Sequence, residues 1–196
     1  MKRAVHPIEV QSYRILRERV DTSYLPPLTR AVAERIVHTT ADPGWAGELV
    51  TTEQALAEGR SALLDGAPLL ADVRMVAAAV TARECTVCLD LAEPVDGLTR
   101  SAAGIRAAAR RHPDGAVWAI GNAPTALAEL LRLAEAGQVR PALVIGVPVG
   151  FVGSVAAKSA LRASGLNAVS NVSERGGAAI AGAAVNALLY FEEEGS

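Results

Sequence analysis

VIGVPVGFVGSVAAKSAL, residues 144–161, joins an apolar run to a helical pattern through a break rich in glycine and proline. AIGNAPTALAELL, residues 119–131, has the same shape. An apolar run that stops at glycine and gives way at once to a 3.6-residue periodicity is the pattern of a buried parallel strand turning into a helix. Each break then lies at the carboxyl end of a strand and at a helix N-terminus, where unpaired N–H groups and the positive end of the dipole attract anions. Two such breaks make one wall of a site for a polycarboxylate or a phosphate. The same residues also suit a turn that is simply tight. Neither stretch is a Walker loop or G-x-G-x-x-G, which makes a nucleotide the weaker candidate ligand.

Outward from these two stretches the pattern repeats. The runs PLLADV, CTVCLDL, AVWAIG, PALVIGVPV and NAVSNV alternate with helical runs that begin near Arg74, Thr99, Ala123, Ser154 and Gly176. Strands separated by single helices are expected to be parallel with right-handed crossovers. That predicts an α/β fold: a three-layer, five-stranded, mainly parallel doubly wound sheet with ligands beyond the carboxyl ends of its strands. The alternation occupies residues 67–196 of a single domain, 1–196, whose first 66 residues are mainly helical. Within those, a helix is predicted over residues 7–20, with Ser12 on the face of Ile8 and Ile15. A second runs from Pro26 or Pro27 to about Thr39 and stops at ADPG, with His38 in its last turn. TTEQ, residues 51–54, fits a capping box before a third helix that ends at Asp65-Gly66.

Composition narrows the function classes. Hydrophobic residues make up 51% of the chain but aromatics only 4%, which favours helices packed closely on a Val/Leu-rich sheet. A formal net charge of −2, with no basic run interleaved with aromatics, disfavours nucleic acid as a partner. MKRAVHPIEVQSYRILRERV scatters charge where a leader carries an apolar block, and no apolar stretch reaches membrane-spanning length, so a cytoplasmic protein is expected and no membrane partner. Both cysteines fall in ECTVCLD. Read as a strand over residues 85–91, positions three apart face opposite sides with Cα atoms roughly 10 Å apart, beyond disulfide reach. No His/Cys set has ligand spacing, and no metal site is expected.

GNAPTAL followed by GVPVGFVG-x(4)-K resembles the precorrin-8X and cobalt-precorrin-8 methylmutases of corrinoid biosynthesis. IEVQSYRIL, RIVHTTAD, DGLTRSAA and VNALLY are similar to further segments of that family, in the same order and over nearly the entire chain. The resemblance implies a flavodoxin-like α/β/α fold, a homodimer and an isomerase. The implied reaction moves a methyl group between adjacent carbons of ring C of precorrin-8 or cobalt-precorrin-8, yielding a hydrogenobyrinate- or cobyrinate-type product in cobalamin biosynthesis. An intramolecular shift implies no cofactor, and any cobalt belongs to the substrate. HTTAD looks more like members of the cobalt-early route. Hand-over of product to the next pathway enzyme is a further implied partnership. The alternative is a non-catalytic corrinoid-binding or delivery protein of the same fold, which retention of the site residues argues against.

By the same resemblance His38 is the catalytic residue, protonating a ring nitrogen so that the methyl migrates. Its position at a helix C-terminus is expected to favour the protonated form. Ser12, Thr81 and Arg100 match positions that line the substrate pocket. Arg100 is expected to fork onto a carboxylate, and the two hydroxyls to orient the ring or His38. Asn122, Thr125 and Lys158 are secondary contacts, the first two also shaping their turn. His6 and His112 match no motif and are read as surface residues. Two departures stand out: Ala156 where many members carry an acidic residue, and Glu174-Arg175 where they carry R-x-G-G-S or R-K-G-G-S. Glu174 is expected to repel a propionate there, with Arg175 compensating.

Overall fold

The computed structural model describes residues 6–192. The first five residues, part of the stretch read for a leader, and the last four lie outside the described residues. The chain opens with α1 (Pro7–Arg19), α2 (Pro27–Thr40) and the short α3 (Trp45–Glu48), followed by β1 (Leu49–Val50), α4 (Glu53–Leu64), β2 (Leu69–Ala71), α5 (Arg74–Ala79) and β3 (Thr86–Val87). It continues through α6 (Arg100–Arg111), β4 (Val117–Ile120), α7 (Pro124–Glu135), β5 (Leu143–Gly146), α8 (Ser154–Ala163), β6 (Ala168–Asn171) and α9 (Ala178–Tyr190). Proline opens α1, α2 and α7, where its missing N–H costs nothing. Among the described residues no helix is long and apolar enough to cross a membrane.

The sheet has six strands in the order β1-β6-β5-β4-β2-β3, not the five expected. The extra strand is the two-residue β1, antiparallel to β6. Two residues carry no readable period, so β1 exists only because the edge of β6 offers it a partner. The other pairings are all parallel. Side chains alternate between two cores as strand geometry requires. Leu69, Ala71, Val117, Ala119, Leu143 and Ile145 face one core with α2, α4, α5 and α9, while Leu70, Trp118, Ile120 and Val144 face the other with α6, α7 and α8. Each fully buried Val, Leu or Ile contributes about 1.5–3 kcal/mol, so the repeated apolar runs suffice to fix which residues turn inward.

Two local expectations are corrected. The run over residues 85–91 is a strand only at β3, after which Cys88–Leu91 winds into a 3-10 turn. The backbone at Cys88 lies so close to α6 that a side chain on Gly104 would collide with it. Thr52, rather than Thr51, caps α4, accepting from Ala55 N at 3.1 Å. Thr51 Oγ1 instead donates to the Ala168 carbonyl across the sheet at 2.8 Å. Ile8 is 70% exposed, so α1 buries Leu16 and leaves the Ile8 side of the helix open.

Candidate functional site

Parallel order reverses between β2 and β4, which makes a crevice at their carboxyl ends. Asp72 fills it. This buried carboxylate follows β2 and accepts backbone N–H bonds from Val73 at 3.0 Å, Gly121 at 3.3 Å, Asn122 at 2.8 Å and Ala123 at 3.0 Å. Burial pushes its pKa up, while those four donors favour the charged form. The anion at the first Gly/Pro break is thus the protein's own. Gly121 also lets α9 close over β4, because a Cβ there would meet Gly177 O at 2.7 Å. Thr125 Oγ1 lies 2.8 Å from Thr99 Oγ1, the hydroxyl that caps α6, and Arg100 opens that helix exposed at the surface.

The second break is closed by Ser154, whose hydroxyl donates to Pro148 O at 2.6 Å. Its tip stays open, with Phe151 at 96% and Val152 at 89% exposure. Lys158 is wholly buried, its ammonium donating to the carbonyls of Ser173 and, at 2.7 Å, Arg175. Burial lowers its pKa to about 8. Arg175 in turn pairs with Asp42, and with Glu48 at 2.8 Å, while its guanidinium lies 4.7 Å from the Trp45 ring centroid. Its guanidinium is engaged at the turn after α2.

Ser12 and His38 are brought together: Ser12 Oγ lies 2.7 Å from His38 Nδ1. Tyr13 stacks on the imidazole with centroids 5.0 Å apart and rings 9° from parallel. Arg35 sits 5.7 Å from the Tyr13 centroid and pairs with Glu9 at 2.9 Å. The helix-end expectation for His38 is overturned. Burial, with Arg35 beside it, pushes the imidazole below its usual 6.5, and Glu9 only partly resists. A hydroxyl serves both states of the ring, donating to Nδ1 in the neutral Nε2–H tautomer and accepting from it in the imidazolium. Among the described residues Nε2 has no hydrogen-bond partner. Ile8, Gln11, Ser12 and Ile15 line a shallow depression of about 230 Å³ beside this pair.

A larger groove of about 650 Å³ begins at Tyr13 and runs between α1, α2 and the end of α9. Arginines 17, 30 and 35 line it, with Glu34, Tyr190 and Phe191. Glu34 is buried. Burial works against its charge, yet hydrogen bonds from Arg17 and Thr22 hold it below the usual carboxylate range. Thr81 reaches this end of the molecule indirectly. Its N–H donates to Asn186 Oδ1 at 2.9 Å, and its hydroxyl lies 3.2 Å from Tyr190 Oη. His38, Thr81 and Arg100 therefore occupy three different places in one chain, and of the site residues expected from the sequence Ser12 is the one in contact with His38 among the described residues.

Tyr13, Arg35, Asp72 and Asn186 were not singled out from the sequence. Tyr13 adjoins Ser12 and Arg35 precedes His38 by three, so helix spacing carried a signal for that pair. Nothing local marked Asp72, while Asn186 lies in VNALLY, a motif quoted without a role for its asparagine. Both cysteines are free, and burial pushes Cys85 up to about 11 and Cys88 to about 12, so both stay thiols at neutral pH. Their separation owes nothing to opposite strand faces, because Cys88 belongs to the 3-10 turn. His6 is exposed and accepts from Ile8 N at the start of α1.

An open α/β sheet with a half-buried histidine held by a serine and a phenol, beside an arginine-lined groove, belongs to the class of folds whose site is able to take a broad anionic ligand and offer it a proton. The comparisons agree on the particular family. A family model described as precorrin-8X methylmutase matches residues 7–191, and the chain belongs to that family of isomerases. It is 38% identical to the precorrin-8X methylmutase of Pseudomonas aeruginosa, over 93% of this chain and 94% of that protein. Against the cobalt-precorrin-8 methylmutase of Methanothermobacter thermautotrophicus it is also 38% identical, over 96% and 94%. The solved precorrin-8x methyl mutase of Thermus thermophilus superposes with a TM-score of 0.84 at 34% identity, covering 94% of this chain and 96% of that one.

Proposed function

We propose that this protein moves a methyl group between adjacent carbons of ring C of precorrin-8 or its cobalt complex, with His38 as the proton donor. The Ser12–His38 pair carries the reading. His38 Nε2–H gives its proton to a ring nitrogen, the conjugated system becomes electron-poor, the methyl shifts, and the proton returns to Nε2. Ser12 keeps the imidazole in place throughout, since its hydroxyl accepts from Nδ1–H both in the imidazolium and in the neutral ring left once Nε2 has given up its proton. The Ile8–Ile15 depression offers an apolar surface to the ring face, and the arginine groove suits its acetates and propionates. Thr81, Arg100, Asn122 and Thr125 belong to the same reading as contacts made elsewhere on a ring wide enough to span several elements.

The finer fold reading is a flavodoxin-like three-layer sandwich. Renumbered among themselves, the five parallel strands follow the order 2-1-3-4-5, and helices cover both faces. The reading includes a homodimer, supported by the exposed Val149, Phe151 and Val152, a cytoplasmic location and no cofactor. Cobalt, where present, is substrate. HTTAD favours the cobalt complex. Purified protein offered precorrin-8 and cobalt-precorrin-8 in turn is expected to yield the rearranged corrin, followed by absorbance and proton NMR of the migrated methyl. Tight binding of both rings without any rearrangement would make the protein a carrier instead.

A further inference from the structure

Arg30, Glu34 and His38 stand four residues apart on α2, so their side chains line one stripe of the helix. At 1.5 Å per residue the stripe is about 12 Å long from Arg30 to His38. On α1, Tyr13 and Arg17 stand opposite it: Tyr13 stacks on His38, and Arg17 meets Glu34. Glu34 is 3% exposed at its side chain and holds two guanidiniums at once. Arg17 donates to it through Nε at 3.0 Å and Nη2 at 2.8 Å, and Arg30 through Nε at 3.2 Å. Thr22 Oγ1 donates to the same carboxylate at 2.6 Å. Among the described residues the two terminal nitrogens of Arg30 have no hydrogen-bond partner, and its side chain is 38% exposed in the wall of the groove.

A guanidinium fixed through Nε presents its remaining pair of nitrogens as a fork for a second carboxylate. The buried glutamate supplies the fixing, and among the described residues it leaves the terminal nitrogens of Arg30 without a hydrogen-bond partner. Glu192, which also lines the groove, works against an incoming anion. We propose that Arg30, with Arg17 beside it, is a carboxylate subsite for one acetate or propionate arm of the macrocycle whose ring meets His38. This rests on the methylmutase reading. Tyr13 is the shared wall, touching the imidazole on one side and the groove on the other, so an arm extending past it runs along the stripe toward Arg30.

The test is absorbance titration of the full-length protein with hydrogenobyrinic acid and with its separate monoamides. Arg30→Met is expected to weaken binding of the acid about tenfold or more, the loss for a hydrogen bond to a charged group. Arg30→Lys should recover part of it, as an ammonium keeps the charge without the fork. Glu192→Gln should tighten binding slightly. One monoamide should bind wild type more weakly yet lose little further in Arg30→Met, which marks the arm that the arginine holds. Wild-type affinity retained in Arg30→Met, or losses that simply add for every monoamide, would overturn the subsite. Turnover of precorrin-8 by wild type, measured in parallel, tests the methylmutase reading separately, because the binding data decide the subsite whether or not rearrangement occurs.

Discussion

The crevice between β2 and β4 and the stripe between α1 and α2 are both places where a ligand site is expected, and they are built in opposite ways. At the crevice a buried carboxylate meets a cluster of backbone donors, and every partner is internal. At the stripe an imidazole nitrogen and an arginine fork have no described partner, although the groups that hold them are fully bonded. The difference shows that a fold rule locates a gap, not its use. In this chain the crevice is filled by the protein's own carboxylate, and the Ser12–His38 pair stands on helices outside the β/α alternation.

The largest expected effect separates the two at once. Loss of a general acid costs about 10²–10⁴-fold in rate, so His38→Asn should lower turnover at least hundredfold while ring affinity stays close to wild type. The wild-type pH profile carries the sign. Activity needs the protonated ring, so kcat/KM should be full at low pH and fall as pH rises through a value below 6.5. A plateau through pH 8 would move the acid elsewhere.

Asp72→Ala should act on stability instead of turnover chemistry. It leaves buried N–H groups without an acceptor, at about 1–3 kcal/mol for an unsatisfied donor, so a loss of about 3 kcal/mol in urea unfolding is expected. A loss under about 1 kcal/mol would mean that water replaces the carboxylate easily and that the crevice is open to ligands after all.

Arg100→Ala probes whether the two regions serve one ring. The residue is exposed, so stability should not change. If its guanidinium pairs with a substrate carboxylate, affinity for the corrin acid should fall by about 1.5–3 kcal/mol, with a smaller drop in single-turnover rate. Unchanged affinity would place the ring away from Arg100 and confine it to the α1–α2 side.

By itself the sequence determined the five parallel strands, the helices that follow them and the proline starts, because periodicity, glycine breaks and caps act over a few residues. It also carried the family motifs, and with them His38 together with Ser12 and Thr81 as hydroxyls to orient the ring or His38, of which the structure brings Ser12 to the imidazole. Only the tertiary structure decided that Glu34 anchors two arginines, that Lys158 faces inward to backbone carbonyls, and that Asp72 takes the N–H groups of Gly121, Asn122 and Ala123. The direction of the His38 pKa shift belongs with these. A helix end favours the charged imidazole through the local dipole, but burial against α1 and a neighbouring arginine outweigh it, and both depend on how helices pack rather than on where the histidine stands in its own.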